Sequence, residues 1–265
     1  MTNPSPTLEF ASLTDVGMVR SHNEDNHATD ALAGFAILAD GMGGYNAGEV
    51  ASDLAVAQLS ARLRAPDGAV APAERLRQLV EQTNAAVHYM ARTREHCAGM
   101  GATLVVALFR PGAVIVAHVG DSRLYRLRGE RFEAITRDHS VLQEQLDGGL
   151  ITPEEARLSH NKNLVTRALG VEASVAVAVA VHATQPDDVY LLCSDGLNDM
   201  VDDDAIEQVL RAHPGDLAAG AFDLVGLANL NGGRDNVTVI LARVRAEPLQ
   251  PGMLARLSGW IRPAP

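Results

Sequence analysis

The chain has 265 residues, of which 47% are apolar, and its 33 acidic and 22 basic residues give a formal net charge of −11. This length and composition predict a folded protein with a sizeable buried core and exclude a disordered or low-complexity chain. The negative charge disfavours non-specific binding to nucleic acid or to an anionic membrane, since both are polyanions.

Targeting signals and cysteine motifs are not evident in the sequence. Two cysteines far apart and without a CxxC spacing indicate no disulfide framework. Residues 1–6 lack the basic and apolar regions of a signal peptide, and no apolar run approaches the roughly 18 residues that a membrane helix needs. We therefore expect a cytoplasmic protein without a membrane segment.

The first half of the chain is expected to contain strands and one pair of helices. Apolar runs predict strands over 8–13 and 34–39, and helical spacing of apolar residues predicts helices over 47–63 and 73–94. Two hairpins should follow, pairing 103–109 with 114–119 and 122–127 with 131–135.

The second half begins with a polar segment, 138–170, which we interpret as an excursion from the core and a candidate flap. Strands over 174–181 and 189–194, helices over 203–212 and 216–229, and a last strand over 236–244 are predicted after it. Because strands cluster with strands and helices come in pairs, the pattern favours antiparallel sheets with helices outside, rather than alternating βαβ units.

Four aspartates flank apolar strands. Asp40, Asp121 and Asp195 each follow such a run, and Asp235 precedes one. A single Asp beside a strand is usually part of a turn. Four of them predict a shared pocket, in which the carboxylates would repel one another unless a cation neutralised them.

The type of cation follows from the ligands. Oxygen ligands suit magnesium or manganese, whereas the nine histidines are scattered without HxH or HExxH spacing, so zinc is disfavoured. Upstream, Arg20 precedes Glu24 and Asp25. This stretch is either a solvated loop with a surface ion pair or a phosphate clamp in which the guanidinium pairs with two phosphate oxygens.

Eight short motifs occur in an order that matches a known family. They are 20–25 (RSHNED), 40–44 (DGMGG), 48–52 (GEVAS), 101–103 (GAT), 119–123 (VGDSR), 163–170 (NLVTRALG), 194–197 (SDGL) and 234–238 (RDNVT). Together they resemble the bacterial metal-dependent (PPM) protein phosphatases of type 2C, over about residues 8–244. Each motif alone is weak, but the ordered set is highly specific.

The resemblance implies an α+β fold, a four-layer αββα sandwich of two antiparallel sheets flanked by helix pairs. It implies a catalytic domain over 1–246, with the flap near 138–170, and a C-terminal tail over 247–265. The implied activity is hydrolysis of phosphoserine and phosphothreonine by a metal-activated water. The implied partners are phosphorylated proteins and a bacterial Ser/Thr kinase, and we expect a monomer.

The resemblance also assigns roles to individual residues. Two Mn²⁺ or Mg²⁺ ions are implied, with Asp40 bridging them, the Gly41 carbonyl binding one, and Asp195 and Asp235 completing the other. A third ion would take Asp121 and Asp199. Arg20 would hold the substrate phosphate, and Glu24 and Asp25 would order water.

Four positions depart from the family pattern. Met42 stands where eukaryotic members have a histidine proposed as general acid, so a water is our substitute hypothesis for that role. Bacterial members commonly have His at the position of Tyr45, Trp at that of Asn198, and Arg at that of Lys162. These differences concern substrate preference and the flap rather than the core chemistry.

Two other functions remain open from the sequence. A two-metal phosphodiesterase or nuclease also uses clustered aspartates, but it calls for a basic groove that the charge of −11 disfavours. A pseudophosphatase that binds phosphoproteins without turnover is the second alternative, although the metal-binding aspartates are all present.

Overall fold

The computed structural model describes residues 7–43, 47–65, 68–152, 155–156 and 164–245. Tyr45, Lys162 and the predicted tail over 247–265 lie outside these ranges, as does the middle of the predicted flap. The described residues form two antiparallel sheets with helices on their outer faces.

The first sheet has five strands, and most neighbours in the sheet are far apart in sequence. In spatial order they are β1 (Thr7–Asp15), β11 (Val237–Arg245), β10 (Val189–Cys193), β7 (Arg123–Arg128) and β8 (Arg131–Ala134). The N-terminal and C-terminal strands therefore pair with each other, in register from Thr7↔Arg245 to Asp15↔Val237.

The second sheet has five strands that pair in one continuous order, and a sixth strand pairs beside that order. In spatial order they are β2 (Asp25–Asp30), β3 (Phe35–Met42), β5 (Leu104–Arg110), β6 (Ala113–Val119) and β9 (Ala178–Ala183). A sixth, two-residue strand, β4 (Gly101–Ala102), pairs with the end of β3 at Gly41 and Met42.

Helices cover the outer faces of both sheets. The long pair α1 (Ala47–Leu63) and α2 (Pro72–Thr93) packs on the second sheet. The first sheet is covered by α5 (Asp203–Ala212) and α6 (Leu217–Leu230), preceded by the four-residue α4 (Asp195–Asn198). None of the helices in the described part of the chain is both long and apolar enough to cross a membrane.

Three apolar layers follow from the two-residue period of the strands. Along β3, Ile37 faces the α1–α2 pair whereas Leu38 faces the other sheet. Along β10, Leu191 faces α5 and α6 whereas Leu192 faces the inter-sheet layer. The central strands β3 and β10 are thus buried on both faces, which confirms the predicted αββα sandwich.

One predicted strand begins later than expected. The sequence predicted a strand over 174–181, but β9 starts at Ala178. In the missing part, 174–177, Arg77 of α2 donates to the Val177 carbonyl. Asn84 of α2 donates to the Glu172 and Ala173 carbonyls just before this part, so α2 side chains hold the segment that leads into β9.

Two further elements were absent from the predictions. No strand is predicted over Asp25–Asp30, yet these residues form β2, because edge pairing with β3 overrides their polar composition. Within the predicted flap, Val141–Asp147 forms a short helix, α3, whose first turn is capped by Ser140.

A substitution at Leu192 tests the inter-sheet layer. Its side chain is fully buried there, so Leu192→Ala should lower the free energy of unfolding by about 2–5 kcal/mol, as urea denaturation would measure. Leu32→Ala is the matched control, since Leu32 is 96% exposed and its truncation should cost less than about 0.5 kcal/mol. Equal costs for the two variants would contradict this assignment of the core.

Candidate metal centre

Asp25 joins the two sheets at one edge of the sandwich. It is the first residue of β2, but its Oδ2 accepts hydrogen bonds from Ser194 Oγ at 2.8 Å and from Thr238 Oγ1 at 2.7 Å. Thr238 is in β11 of the first sheet, and Ser194 directly follows β10 of the same sheet. Ser194 Oγ in turn accepts from the Thr238 backbone N–H at 3.0 Å. The Asp25 carboxylate is therefore fixed in place by partners far away in sequence.

Asp40 lies opposite Asp25 in the β2–β3 register. It is inside β3, two residues before the end of the strand, rather than beyond the strand as the sequence suggested. Burial raises the pKa of Asp40 well above its usual range, and the charges of four other aspartates raise it further. Those four are Asp25, Asp195, Asp121 and Asp235.

Asp195 and Asp121 come from different sheets and act on each other electrostatically. Asp195 begins α4 directly after β10, and Asp121 follows β6 and is 8% exposed. Burial and then the Asp121 charge raise the pKa of Asp195. Burial raises the pKa of Asp121 to about 6, with smaller contributions from Asp138 and Asp199.

The structure thus brings together the five aspartates predicted as metal ligands and also Asp25, which is predicted to order water. We call this set the carboxylate cluster: Asp25, Asp40, Asp121, Asp195, Asp199 and Asp235. The cluster is formed at one end of the sandwich where both sheets and α4 meet, as the convergence of strand ends predicted.

Arg20 is held against the cluster by an ion pair. Its Nη2 donates to Asp235 Oδ2 at 2.6 Å, and the two side chains are 52% and 30% exposed. The sequence predicted that Arg20 binds the substrate phosphate and that Asp235 binds metal, and the structure pairs the two with each other. Because a guanidinium has five N–H donors, the bond to Asp235 still leaves donors for an anion.

Glu24 lies where β3 crosses the start of α1. A Cβ on Gly41 would come within 2.2 Å of the Gly48 carbonyl oxygen, so only glycine allows this close approach. The Gly41 N–H donates to the Glu24 carbonyl, and Ser52 Oγ donates to the same carbonyl. Burial raises the pKa of the Glu24 carboxyl, while the Arg20 charge and a bond from the Gly48 backbone oppose that change.

Asn236 is a structural organiser that the sequence did not reveal. Its Oδ1 accepts from the Glu24 N–H at 2.8 Å, and its Nδ2 donates to the carbonyls of Val16 and His22. One buried amide thereby fixes both ends of the loop that carries Arg20. Its position beside Asp235 in the RDNVT motif was the available signal.

Arg123 of the VGDSR motif has a similar supporting role. Its guanidinium makes a paired interaction with Asp138, with bonds of 2.7–3.1 Å, and donates to Tyr125 Oη, which itself donates to Asp203. Asp138 stands at the start of the predicted flap and contributes to the raised pKa of Asp121. The pair therefore links the base of the flap to the cluster.

The chemistry of the donor set fits hard divalent cations. Asp25 Oδ1 and Asp195 Oδ1 are buried oxygens without a hydrogen-bond donor in the described structure, and a cation would satisfy both. No three His, Cys, Asp or Glu side chains among the described residues already stand as a complete ligand set. The carboxylates are gathered but need side-chain adjustment to close around an ion, including at Asp235, which Arg20 engages.

Comparisons with known proteins agree with this geometry. The family model for protein phosphatase 2C matches residues 19–214. The serine/threonine phosphatase Stp of Listeria monocytogenes is 39% identical over 234 residues, which cover 86% of this chain and 92% of that protein.

Solved structures show the same fold. The serine/threonine phosphatase PstP/Ppp of Mycobacterium tuberculosis superposes with a TM-score of 0.84 at 38% identity, covering 90% of this chain and 99% of that one. The PstP catalytic domain in complex with two manganese ions gives a TM-score of 0.82 at 38% identity, with 90% and 99% coverage. The chain belongs to the protein phosphatase 2C family.

Proposed function

We propose that the protein is a metal-dependent phosphatase that removes phosphate from phosphoserine and phosphothreonine in proteins. The observation that carries the proposal is the buried carboxylate cluster with Arg20 fixed at its edge. Aspartates alone would repel a phosphate dianion, but aspartates that hold divalent cations beside a guanidinium attract one. The relatives are serine/threonine phosphatases, which supports this substrate class.

The cluster would hold two Mn²⁺ or Mg²⁺ ions. Asp40 would lie between them, with the Gly41 carbonyl on one ion and Asp195 and Asp235 on the other. The two manganese ions of the PstP catalytic domain support this number. We further propose a third ion at Asp121 and Asp199, since the charge of Asp199 contributes to the raised pKa of Asp121.

The chain's own groups would position the reactants. Bound cations supply a nucleophile at neutral pH by acidifying water and they neutralise the phosphoryl oxygens. Arg20 would orient the phosphoryl group by donating to two of its oxygens. Glu24 and the fixed carboxylate of Asp25 would accept hydrogen bonds from water and so hold it in line with the phosphorus atom.

The same proposal includes the partners, the domain bounds and the location of the protein. Substrates would be phosphorylated proteins, with a bacterial Ser/Thr kinase as the opposing enzyme. Residues 1–246 would form the catalytic domain and 247–265 a tail. A monomeric state and a location in the cytoplasm remain predictions.

A three-substrate assay tests the proposed function against its alternatives. With saturating Mn²⁺, the protein should hydrolyse p-nitrophenyl phosphate and a phosphothreonine peptide and leave single-stranded DNA intact. Cleavage of the DNA would indicate the phosphodiesterase or nuclease alternative. Tight binding of the phosphopeptide without release of phosphate would indicate a pseudophosphatase.

Removing charge from the cluster should abolish turnover. Asp40→Asn and Asp195→Asn each replace a metal ligand at nearly constant volume, so kcat for p-nitrophenyl phosphate should fall at least about a hundredfold while the fold persists. The control is Asp204→Asn on the exposed first turn of α5, which should keep full activity. Near-normal turnover by either cluster variant at saturating Mn²⁺ would refute its ligand assignment.

Arg20→Lys tests whether the paired N–H donors of the guanidinium matter beyond its positive charge. Lysine keeps the positive charge but cannot make the paired donation to two phosphate oxygens, so kcat/KM should fall about tenfold or more. Steady-state kinetics on p-nitrophenyl phosphate measures the change. Arg64→Lys is the control, because Arg64 forms its ion pair with Asp30 at 2.8 Å, outside the cluster.

The cluster also predicts how pH and metal affect stability. Burial raises the pKa of Asp25 and of Asp121 to about 6. Between a pH of about 4 and about 6, the folded state then binds more protons than the unfolded state, so these groups lower the free energy of unfolding as pH rises.

Calorimetry with EDTA or Mn²⁺ tests this electrostatic effect. Mn²⁺ should raise Tm by several degrees at a pH of about 7.5, because it neutralises ionised carboxylates, and by less at a pH of about 5, where protons compete. Asp204→Asn should behave like the parent protein. An equal rise in Tm at the two pH values would contradict the prediction.

A further inference from the structure

Two consecutive apolar side chains are exposed beside Arg20. Met18 is 68% exposed and Val19 is 69% exposed, and they immediately precede the proposed phosphate-binding arginine. Single exposed apolar residues are normal on protein surfaces and need no function. This pair differs because it is adjacent to Arg20 and belongs to a loop that is held firmly.

Hydrogen bonds fix the loop on each side of the pair. Before it, Asp15 Oδ1 accepts from the Gly17 N–H at 2.8 Å, and the Met18 N–H donates to the Gly233 carbonyl at 2.7 Å. After it, Asn236 Nδ2 donates to the His22 carbonyl at 2.8 Å. A fixed backbone loses little conformational entropy when a ligand packs on the side chains that it carries.

The Met18 side chain packs against the turn that leads to Asp235. A Cβ on Gly233 would lie 2.7 Å from Met18 Cγ, so the Met18 side chain rests on this turn. We call Met18 and Val19 the apolar rim.

We propose that the apolar rim binds aliphatic side chains next to the phosphorylated residue of the substrate, which makes Met18 and Val19 determinants of peptide specificity. The proposal rests on the proposed phosphatase function. Successive residues of an extended peptide are about 3.3–3.6 Å apart, so a phosphate held by Arg20 brings the neighbouring residues within reach of Val19 and Met18. Methionine is flexible and polarisable, which suits contact with varied aliphatic partners.

Two phosphothreonine peptides provide the test. They are identical except that leucine flanks the phosphothreonine on both sides in one and glutamine does so in the other. Full-length protein with saturating Mn²⁺ should hydrolyse the leucine peptide with a kcat/KM about three- to tenfold higher. Leucine side chains that pack on the rim bury apolar surface, which favours binding of that peptide. Glutamine side chains bury much less apolar surface there.

Variants of the rim should remove the preference. In the double variant Met18→Gln, Val19→Thr, the ratio of kcat/KM between the two peptides should fall to about one, because the apolar contact is lost. The matched control is Leu32→Gln, which replaces a 96% exposed leucine in the β2–β3 turn and should keep the parental ratio. Turnover of p-nitrophenyl phosphate, which has no flanking residues, reports that the double variant is folded and active.

The outcomes separate the two proposals. Equal kcat/KM for both peptides in the parent protein, or an unchanged preference in the double variant, would overturn the role of the apolar rim while leaving the phosphatase function in place. Failure of the parent protein to hydrolyse p-nitrophenyl phosphate and both peptides would overturn the proposed function, and this inference with it.

Discussion

Repulsion among buried carboxylates is the constraint on which the structure of this protein depends. Asp40 is influenced by the charges of Asp25, Asp195, Asp121 and Asp235, all in a region from which much water is excluded. Like charges in such a place cannot all be ionised near neutral pH unless positive charge is supplied. The fold therefore gives up stability at this edge in order to gather groups that a hard cation would satisfy.

Hydrogen bonds from uncharged hydroxyl donors, together with apolar packing, hold the cluster in place despite that repulsion. The Asp25 carboxylate is bonded to Ser194 and Thr238 of the opposite sheet, and Thr238 Oγ1 also lies 2.7 Å from Thr14 Oγ1. Below this contact, the inter-sheet apolar layer fixes the distance between the strands. The scaffold thus fixes the Asp25 carboxylate and the strands that carry the cluster, and such preorganisation favours electrostatic catalysis.

The sequence predicted the fold class and the principal carboxylates because both have local signatures. Asp40 and Asp195 stand beside apolar runs, and these runs have the length and composition of buried strands. The ion pair of Arg20 with Asp235 had no such signature, and the role of Asn236 was indicated only by its place beside Asp235 in a motif. Their partners are more than 200 positions away, so only the antiparallel pairing of β1 with β11 brings them together.

Local propensity also misled where tertiary contacts override it. The polar sequence of β2 predicts no strand, yet β2 pairs with β3 and places Asp25 opposite Asp40. Conversely, the apolar residues just before β9 resemble a strand, but the side chain of Arg77 donates to the Val177 carbonyl in that segment. Hydrogen-bond partners supplied by distant elements decided both cases.

The charge balance at the cluster argues that cations and Arg20 act in binding as well as in turnover. A phosphate monoester arrives with nearly two negative charges at neutral pH, toward carboxylates that are themselves crowded. Arg20 offers one positive charge, and Asp235 already engages it at 2.6 Å. Without further positive charge the net interaction is repulsive, so affinity for phosphorylated substrates and catalytic competence should both depend on loading of the same carboxylates.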